Sequence, residues 1–179
     1  MIASIIAIIR YCVIAAGIAV AYYLYFRWSD ARPAIEVILL TCVVFNGLIS
    51  FVSHVIFHKA DAARLGLESA SPGYQFEVGF ANLAMGLAAL AAFLFQWGIS
   101  AYIVLVLCYS LYIMQAVIFH FWRFISRQRS DAGYLWGSVV LSAIYVANML
   151  FFALAALTQE RLAPFSGVAE YLHYIRFVV

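Results

Sequence analysis

Five long apolar runs divide the chain, and they limit what it can fold into. A helix needs about 20 apolar residues to cross the hydrocarbon core of a bilayer. A helix also satisfies its backbone hydrogen bonds within one such segment, where lipid offers no partners. The sequence therefore predicts an all-α, polytopic transmembrane helical bundle. Its spans are predicted at residues 2–26, 34–58, 72–96, 98–122 and 134–157.

The composition argues against an ordinary soluble domain. Hydrophobic residues make up 68% of the 179 residues and charged residues only 10%, whereas soluble domains carry about 25% charged residues. The chain has no charge-rich arm and no basic run, so we expect no nucleic-acid partner. Its first residues lack the basic region and cleavage site of a secretory signal, so we expect a retained first span. We predict one transmembrane domain over residues 1–179, surrounded by the lipid bilayer.

Basic residues in the short loops predict the orientation. With five spans, the loops after the second and fourth spans lie on the same side of the membrane. Their basic residues are Lys59, Arg64, Arg123, Arg127 and Arg129. The opposite short loops carry only Arg27 and Arg32, although the tail on that side adds Arg161 and Arg176. By the positive-inside rule we expect the amino terminus to lie in the cytoplasm, with the protein in an inner (cytoplasmic) membrane.

The segment after the fifth span predicts a short amphipathic helix at the membrane interface. Its apolar residues Val168, Leu172 and Ile175 recur at helical spacing, as in helices that lie in the interface plane. Ser166 would cap the start of this helix.

Ionisable residues at membrane depth gather on one side of the predicted bundle. His54 and His58 end the second span, Glu77 lies in the second turn of the third, and His120 lies near the end of the fourth. Arg10 lies about two turns into the first span. In an alternating bundle all these positions share the side predicted to be cytoplasmic. A carboxylate within a span is costly and therefore indicates a functional site.

The third span is predicted to be the central helix. One of its faces carries Gln75, Gly79, Asn82 and Gly86, and a second small-residue face carries Glu77. Small residues let neighbouring helices approach closely, so we expect packing on both faces. We predict a ligand site formed by Glu77, Asn82, Arg10 and Gln75.

The histidines suggest a metal or haem site. His54 and His58 are spaced i, i+4, so with His120 they could bind one metal ion, or one of them could be an axial haem ligand. Interfacial histidines that only form hydrogen bonds are the structural alternative. Glu77 could likewise form a structural pair with Arg10, or Arg10 could extend to the headgroups.

The remaining polar residues of the spans have a simple structural interpretation. Asn46, Ser50, His54 and His58 recur every four residues, which predicts one polar stripe on the second span. Side-chain amides within a bundle most simply form hydrogen bonds between helices. We expect this role for Asn46, Asn82 and Asn148.

The end of the second span and the start of the third resemble an uncharacterised family of small bacterial integral membrane proteins. The family pattern is a histidine-rich span end, a Leu-Gly turn, a Ser-Pro helix start, and then Gln and EVGFANL. The matching residues are His54, His58, Leu65, Gly66, Ser71, Pro72, Gln75, Glu77, Gly79, Asn82 and Gly86. The resemblance covers about residues 54–90 and implies a fold class but no reaction.

The third span is also similar to DoxX-like four-helix membrane proteins. That similarity implies a quinone-coupled or redox accessory role, although a fifth span departs from the four-helix pattern.

Three classes of function stay open at this point, and whether the protein is an enzyme is open too. The first is a ligand or redox site that binds a metal ion, a haem or a quinone-like or lipidic headgroup. The alternative is a non-catalytic accessory subunit that stabilises a larger membrane complex, or a homo-oligomer. Transport is less favoured because the chain shows no inverted repeat or broken helix pair. Motifs of soluble enzymes, such as a P-loop or HExxH, do not occur in the sequence.

Overall fold

The computed structural model describes residues 2–65, 72–126 and 131–178, and the side chains of residues 2–63, 72–126 and 131–161. Within these residues it is helical and contains no strand. Several residues named in the sequence analysis are not among the described residues. They are Gly66 and Ser71 of the hairpin pattern, and Arg127 and Arg129 of the loop after the fourth span.

Five helices are long and apolar enough to cross a membrane, as predicted. We number the helices α1 (Ile2–Trp28), α2 (Ala31–Ile56), α3 (His58–Leu65), α4 (Gly73–Leu94), α5 (Ile99–Ile125) and α6 (Ala132–Val178, of which Ala132–Arg161 is the candidate span). Only α3 is too short to be a span. The predicted and observed span ends differ by a few residues: α4 is shorter than the predicted span 72–96, whereas α1, α5 and α6 extend beyond their predicted ends.

The central helix is α2, so the prediction that the third span is central was wrong. Half of the most apolar part of α2 is buried, compared with 28% for the corresponding part of α4. Helix α2 contacts α1, α4, α5 and α6. Helix α4 buries only the face with Gln75 and Gly79. Its other small-residue face, which includes Glu77, is largely exposed.

Helices α2 and α4 approach each other closely at two glycines, as the small-residue pattern predicted. A Cβ atom on Gly47 would lie 2.6 Å from the carbonyl oxygen of Asn82 and 3.0 Å from the Cα atom of Gly86. Side chains larger than hydrogen therefore do not fit at this crossing. The contact brings α4 against the central helix and places Asn82 beside it.

Two stretches of α2, Leu39–Phe45 and Val52–Ile56, are π-helical. A π-helical turn takes more residues than an α-helical turn, so it rotates the following residues around the helix. The predicted polar stripe therefore does not stay on one buried face. Asn46 and Ser50 are buried in the bundle, whereas His54 is half-buried.

The carboxyl-terminal segment is the continuation of α6. The helical backbone runs without a break from Leu141 to Val178. The segment predicted as a separate interfacial helix is therefore the end of α6. Ser166 lies within this helix and does not start it, because neither it nor Pro164 interrupts the helical backbone.

Alternating helices give the bundle two ends. The His54 end contains the end of α2, helix α3, and the starts of α4 and α6. The opposite end, which we call the Gln96 end, contains the turn between α4 and α5 that was predicted at residues 96–98. In this turn Gln96 and Gly98 have φ angles of 51° and 92°, and this left-handed backbone reverses the chain.

Candidate functional site

A small cavity lies at the His54 end, between α2, α4 and α5. Its volume is about 90 Å³. It is lined by His54, Tyr74, Gln75, Val78, Ala116, Phe119 and His120, and we call it the His54–His120 cavity. Two of the three predicted histidines thus meet at one place, together with the predicted Gln75.

His54 pairs with a buried carboxylate that the sequence analysis missed. Its Nδ1 atom lies 2.9 Å from Oδ2 of Asp61. Asp61 belongs to α3, which packs against α1, and only 2% of its surface is exposed. The contact has an ion-pair distance without the geometry of a hydrogen bond. It places a carboxylate beside one ring nitrogen of His54 and leaves the other nitrogen for further contacts. In the described part of the chain, Nε2 of His54 forms no hydrogen bond.

His120 is held in a similar way on the other wall of the cavity. Its Nδ1 atom lies 2.6 Å from the hydroxyl oxygen of Tyr134, and the two rings are close to perpendicular. Tyr134 is buried in the first turn of α6. Its backbone N–H donates to Oδ1 of Asp131 at 2.8 Å, which caps that turn. The start of α6 therefore positions His120.

Glu77 does not line the cavity, contrary to the predicted common site. It follows Gln75 by two residues, which places it about 200° further around the helix. Because Gln75 and Gly79 lie on the buried face of α4, Glu77 lies on the exposed face.

Arg10 forms no ion pair with a described carboxylate. Its guanidinium carbon lies 5.2 Å from the ring centroid of Tyr11, and its side chain is half-buried. The predicted pair of Arg10 and Glu77 is therefore absent from the described residues.

His58 makes local contacts outside the cavity lining. Its Nδ1 atom lies 3.1 Å from the carbonyl oxygen of Val55, one turn earlier. Its ring packs edge-on against Phe76, and its backbone carbonyl accepts a hydrogen bond from Nε2 of Gln75 at 3.2 Å. Through these contacts the first residue of α3 joins the end of α2 to the start of α4.

Among the described residues, no group of three or more His, Cys, Asp or Glu side chains could hold a metal ion. A structural zinc site uses four such ligands, and a catalytic zinc site uses three with a water. Within the described chain, His54, His58 and His120 therefore do not form a ligand cluster, although two of them share a cavity.

Asn82 belongs to a buried hydrogen-bond network deeper in the bundle. The network centres on Asn46, whose Nδ2 donates to the hydroxyls of Tyr109 at 3.0 Å and Tyr145 at 3.1 Å. Tyr109 in turn donates to Oδ1 of Asn82 at 2.7 Å. The hydroxyl of Tyr145 donates to the backbone carbonyl of Cys42 in the π-helical part of α2. This Asn–Tyr network joins α2, α4, α5 and α6.

The network has the interhelical role predicted for Asn46 and Asn82. Nδ2 of Asn82 also donates to the hydroxyl of Tyr112 at 3.1 Å. The same prediction was wrong for Asn148, whose Nδ2 donates to the carbonyl of Ile144 in its own helix at 2.7 Å. Asn148 faces away from the core, so its nearest acceptor is the backbone carbonyl one turn earlier in the same helix.

A family model matches residues 4–163, and its description reads "Family of unknown function (DUF6790)". No curated protein and no solved structure matches the chain. The family match agrees with the resemblance to an uncharacterised family. The hairpin pattern and the similarity to DoxX-like proteins stay predictions.

Proposed function

We propose a binding function for this chain, which belongs to the family of unknown function DUF6790. In this proposal the protein takes up a quinone-like headgroup from the bilayer in the His54–His120 cavity. The observation that carries the proposal is the pair of imidazoles on one small cavity, each with its Nδ1 atom held by a partner. The Nε2 atom of His54 is suited to donating or accepting a hydrogen bond to a ligand, and His120 adds a second imidazole to the cavity wall.

The size of the cavity favours the edge of a single ring. An engineered protein cavity of about 150 Å³ binds benzene. A cavity of about 90 Å³ is smaller, so it would enclose the oxygen-bearing edge of a ring while the remainder stays in lipid. A haem is much larger than benzene, and a metal ion needs more ligands than the two histidines. These comparisons support a quinone-like headgroup over the other two ligands.

The surroundings of the cavity support entry from the bilayer. Tyr74 and Phe119 line it, and they are 59% and 39% exposed on the outer surface of the bundle. Both rings therefore stand where lipid chains would contact the protein. A ring-shaped headgroup could pass between them, and the side-chain amide of Gln75 is a third polar group on the cavity wall.

A titration with a short-chain benzoquinone tests the proposal on protein in lipid nanodiscs. We expect saturable binding to the wild type. Loss of one hydrogen bond of about 1.4 kcal/mol corresponds to a tenfold weaker Kd, so we expect about this effect for His54→Ala. His120→Ala should also weaken binding, because it removes part of the cavity wall.

His58→Ala is the matched control, because His58 is an imidazole at the same end of the bundle that does not line the cavity. It should keep the wild-type Kd. Equal weakening in all three variants, or no saturable binding by the wild type, would overturn the proposal. A metal analysis and an absorption spectrum of the same preparation test the metal and haem alternatives.

The accessory-subunit alternative predicts a different result. The protein would bind no quinone, and a second membrane protein would remain bound to it in stoichiometric amounts after extraction in mild detergent. Contact with the bilayer is common to both functions, since the five apolar helices require it.

A further inference from the structure

A second, larger cavity lies at the Gln96 end of the bundle, opposite the end that contains His54 and His120. Its volume is about 690 Å³. Its polar wall contains Arg32 and Glu36 of α2, Tyr102 of α5 and Glu160 of α6, and Phe93 of α4 belongs to its apolar wall. Four spans therefore contribute to one cavity at the end of the bundle.

The polar wall of this cavity carries more negative than positive charges. A nitrogen of the Arg32 guanidinium lies 3.0 Å from Oε1 of Glu160. Glu36 forms no ion pair within the described part of the chain. One cation and two carboxylates leave the cavity with a formal charge of −1. A ligand that carries both an ammonium group and a phosphate can bind the carboxylates and the guanidinium together.

Hydrogen bonds hold this wall in place. The backbone N–H of Ala31 donates to Oε1 of Gln159 at 2.7 Å, and Nε2 of Gln159 donates to the carbonyl of Ser29 at 2.9 Å. These two bonds attach α6 to the turn between α1 and α2. They therefore keep Glu160 near Arg32 at the surface of the bundle, where the two side chains are 28% and 62% exposed.

The position of the cavity suits a lipid headgroup. It lies where α2 begins and where α4 and α5 meet, at the level of the exposed aromatic residues Phe95 and Trp97. Aromatic residues of this kind mark the interface between hydrocarbon and headgroups. Phe93 and its apolar neighbours could contact the first carbons of the acyl chains.

We infer that this cavity binds a phospholipid whose headgroup has a primary ammonium next to a phosphate, as in phosphatidylethanolamine. The ammonium would donate hydrogen bonds to Glu36 and Glu160, and the phosphate would accept from Arg32. A choline headgroup has the same charges but no N–H donor. A glycerol headgroup has no cation for the two carboxylates.

Thermal unfolding of the full chain in detergent with added lipid tests this inference. We expect phosphatidylethanolamine to raise the unfolding temperature more than phosphatidylcholine or phosphatidylglycerol does. Native mass spectrometry should show one retained phosphatidylethanolamine. Equal stabilisation by phosphatidylcholine would overturn the inference. Equal stabilisation by soluble phosphoethanolamine at the same concentration would overturn the assignment to a lipid.

Glu36→Gln tests the role of the unpaired carboxylate. It should weaken phosphatidylethanolamine binding about tenfold, since it removes a charge-assisted hydrogen bond. Glu77→Gln is the matched control, because Glu77 is an exposed span carboxylate at the other end of the bundle. It should keep the wild-type preference. Loss of the preference in both variants, or in neither, would contradict the assigned site.

Discussion

The imidazole of His54 has two different neighbours, a buried carboxylate and a cavity. Asp61 approaches its Nδ1 atom at 2.9 Å, and His54 also lines the His54–His120 cavity. Buried carboxylates that orient a histidine commonly tune what the histidine can bind. Asp61 is therefore a positioning residue in this account, and it acts on a ligand only through His54.

Asp61→Asn should weaken benzoquinone binding by several-fold, because an amide holds the imidazole less firmly than a carboxylate does. The measurement is the Kd in nanodiscs, with the unfolding temperature of the same sample. Asp30→Ala is a control for lost stability, because it removes the side chain that caps α2 at the opposite end and costs about 1 kcal/mol. It should leave the Kd unchanged. Equal loss of binding in both variants would contradict the positioning role.

Tyr109 connects the two asparagines of the Asn–Tyr network. Tyr109→Phe should destabilise the fold by about 1 kcal/mol, since Oδ1 of Asn82 loses its donor in a fully buried place and hydrogen bonds between spans contribute about this much. Unfolding in a denaturing detergent measures the change. Tyr23→Phe, at a tyrosine that is 65% exposed, should have no effect. Equal stability of both variants would contradict the structural role of the network.

At the scale of whole helices, apolar length predicted the five spans, but residue composition did not predict their order of burial. Helix α4 has small residues on two faces, and only one face packs. Helix α2 is central because it contacts the other four spans, and its π-helical turns redirect the side chains that follow. Neither property can be recognised from hydropathy, since lipid and protein interior accept the same apolar residues.

The candidate site was likewise only partly predictable from the sequence. His54, His120 and Gln75 could be predicted from their depth in the membrane. Asp61 could not be predicted, because it lies in a polar segment between spans, and such a composition indicates a segment at the surface. Its burial depends on α3 packing against α1, which is a contact distant in sequence.

Gly47→Ala should destabilise the bundle by about 1–3 kcal/mol, because the new methyl group would lie 2.6 Å from the backbone oxygen of Asn82 and the helices would have to move apart. Gly137→Ala is the matched control. A Cβ atom there meets nothing within 4 Å, and alanine favours a helix over glycine. The control should be neutral or slightly more stable. Similar unfolding curves for both variants would contradict the close crossing of α2 and α4.

At the scale of the whole molecule, the described basic residues lie at both ends of the bundle: Lys59 and Arg123 at the His54 end, and Arg27, Arg32 and Arg161 at the Gln96 end. The expected cytoplasmic position of the His54 end therefore rests on the basic residues of the short loops in the sequence. Under this orientation the His54–His120 cavity opens near the inner leaflet, and the 690 Å³ cavity opens near the outer one.

Labelling of single cysteines by a membrane-impermeant maleimide checks the orientation, in a background where Cys12, Cys42 and Cys108 are replaced by alanine. Gln96→Cys should react in intact cells. Lys59→Cys should react only after the membrane is opened. The reverse pattern would invert the orientation, and reaction of both cysteines in intact cells would contradict an odd number of spans between the two ends.

The central claim is that a ring-shaped headgroup binds between His54 and His120. Photolabelling with a photoreactive benzoquinone, followed by mass spectrometry of the peptides, tests it most directly. The account predicts labels on the cavity wall, at Tyr74, Val78 and Phe119, and competition by unmodified benzoquinone. Labels spread over the exposed apolar residues of all five helices, with no competition, would contradict it.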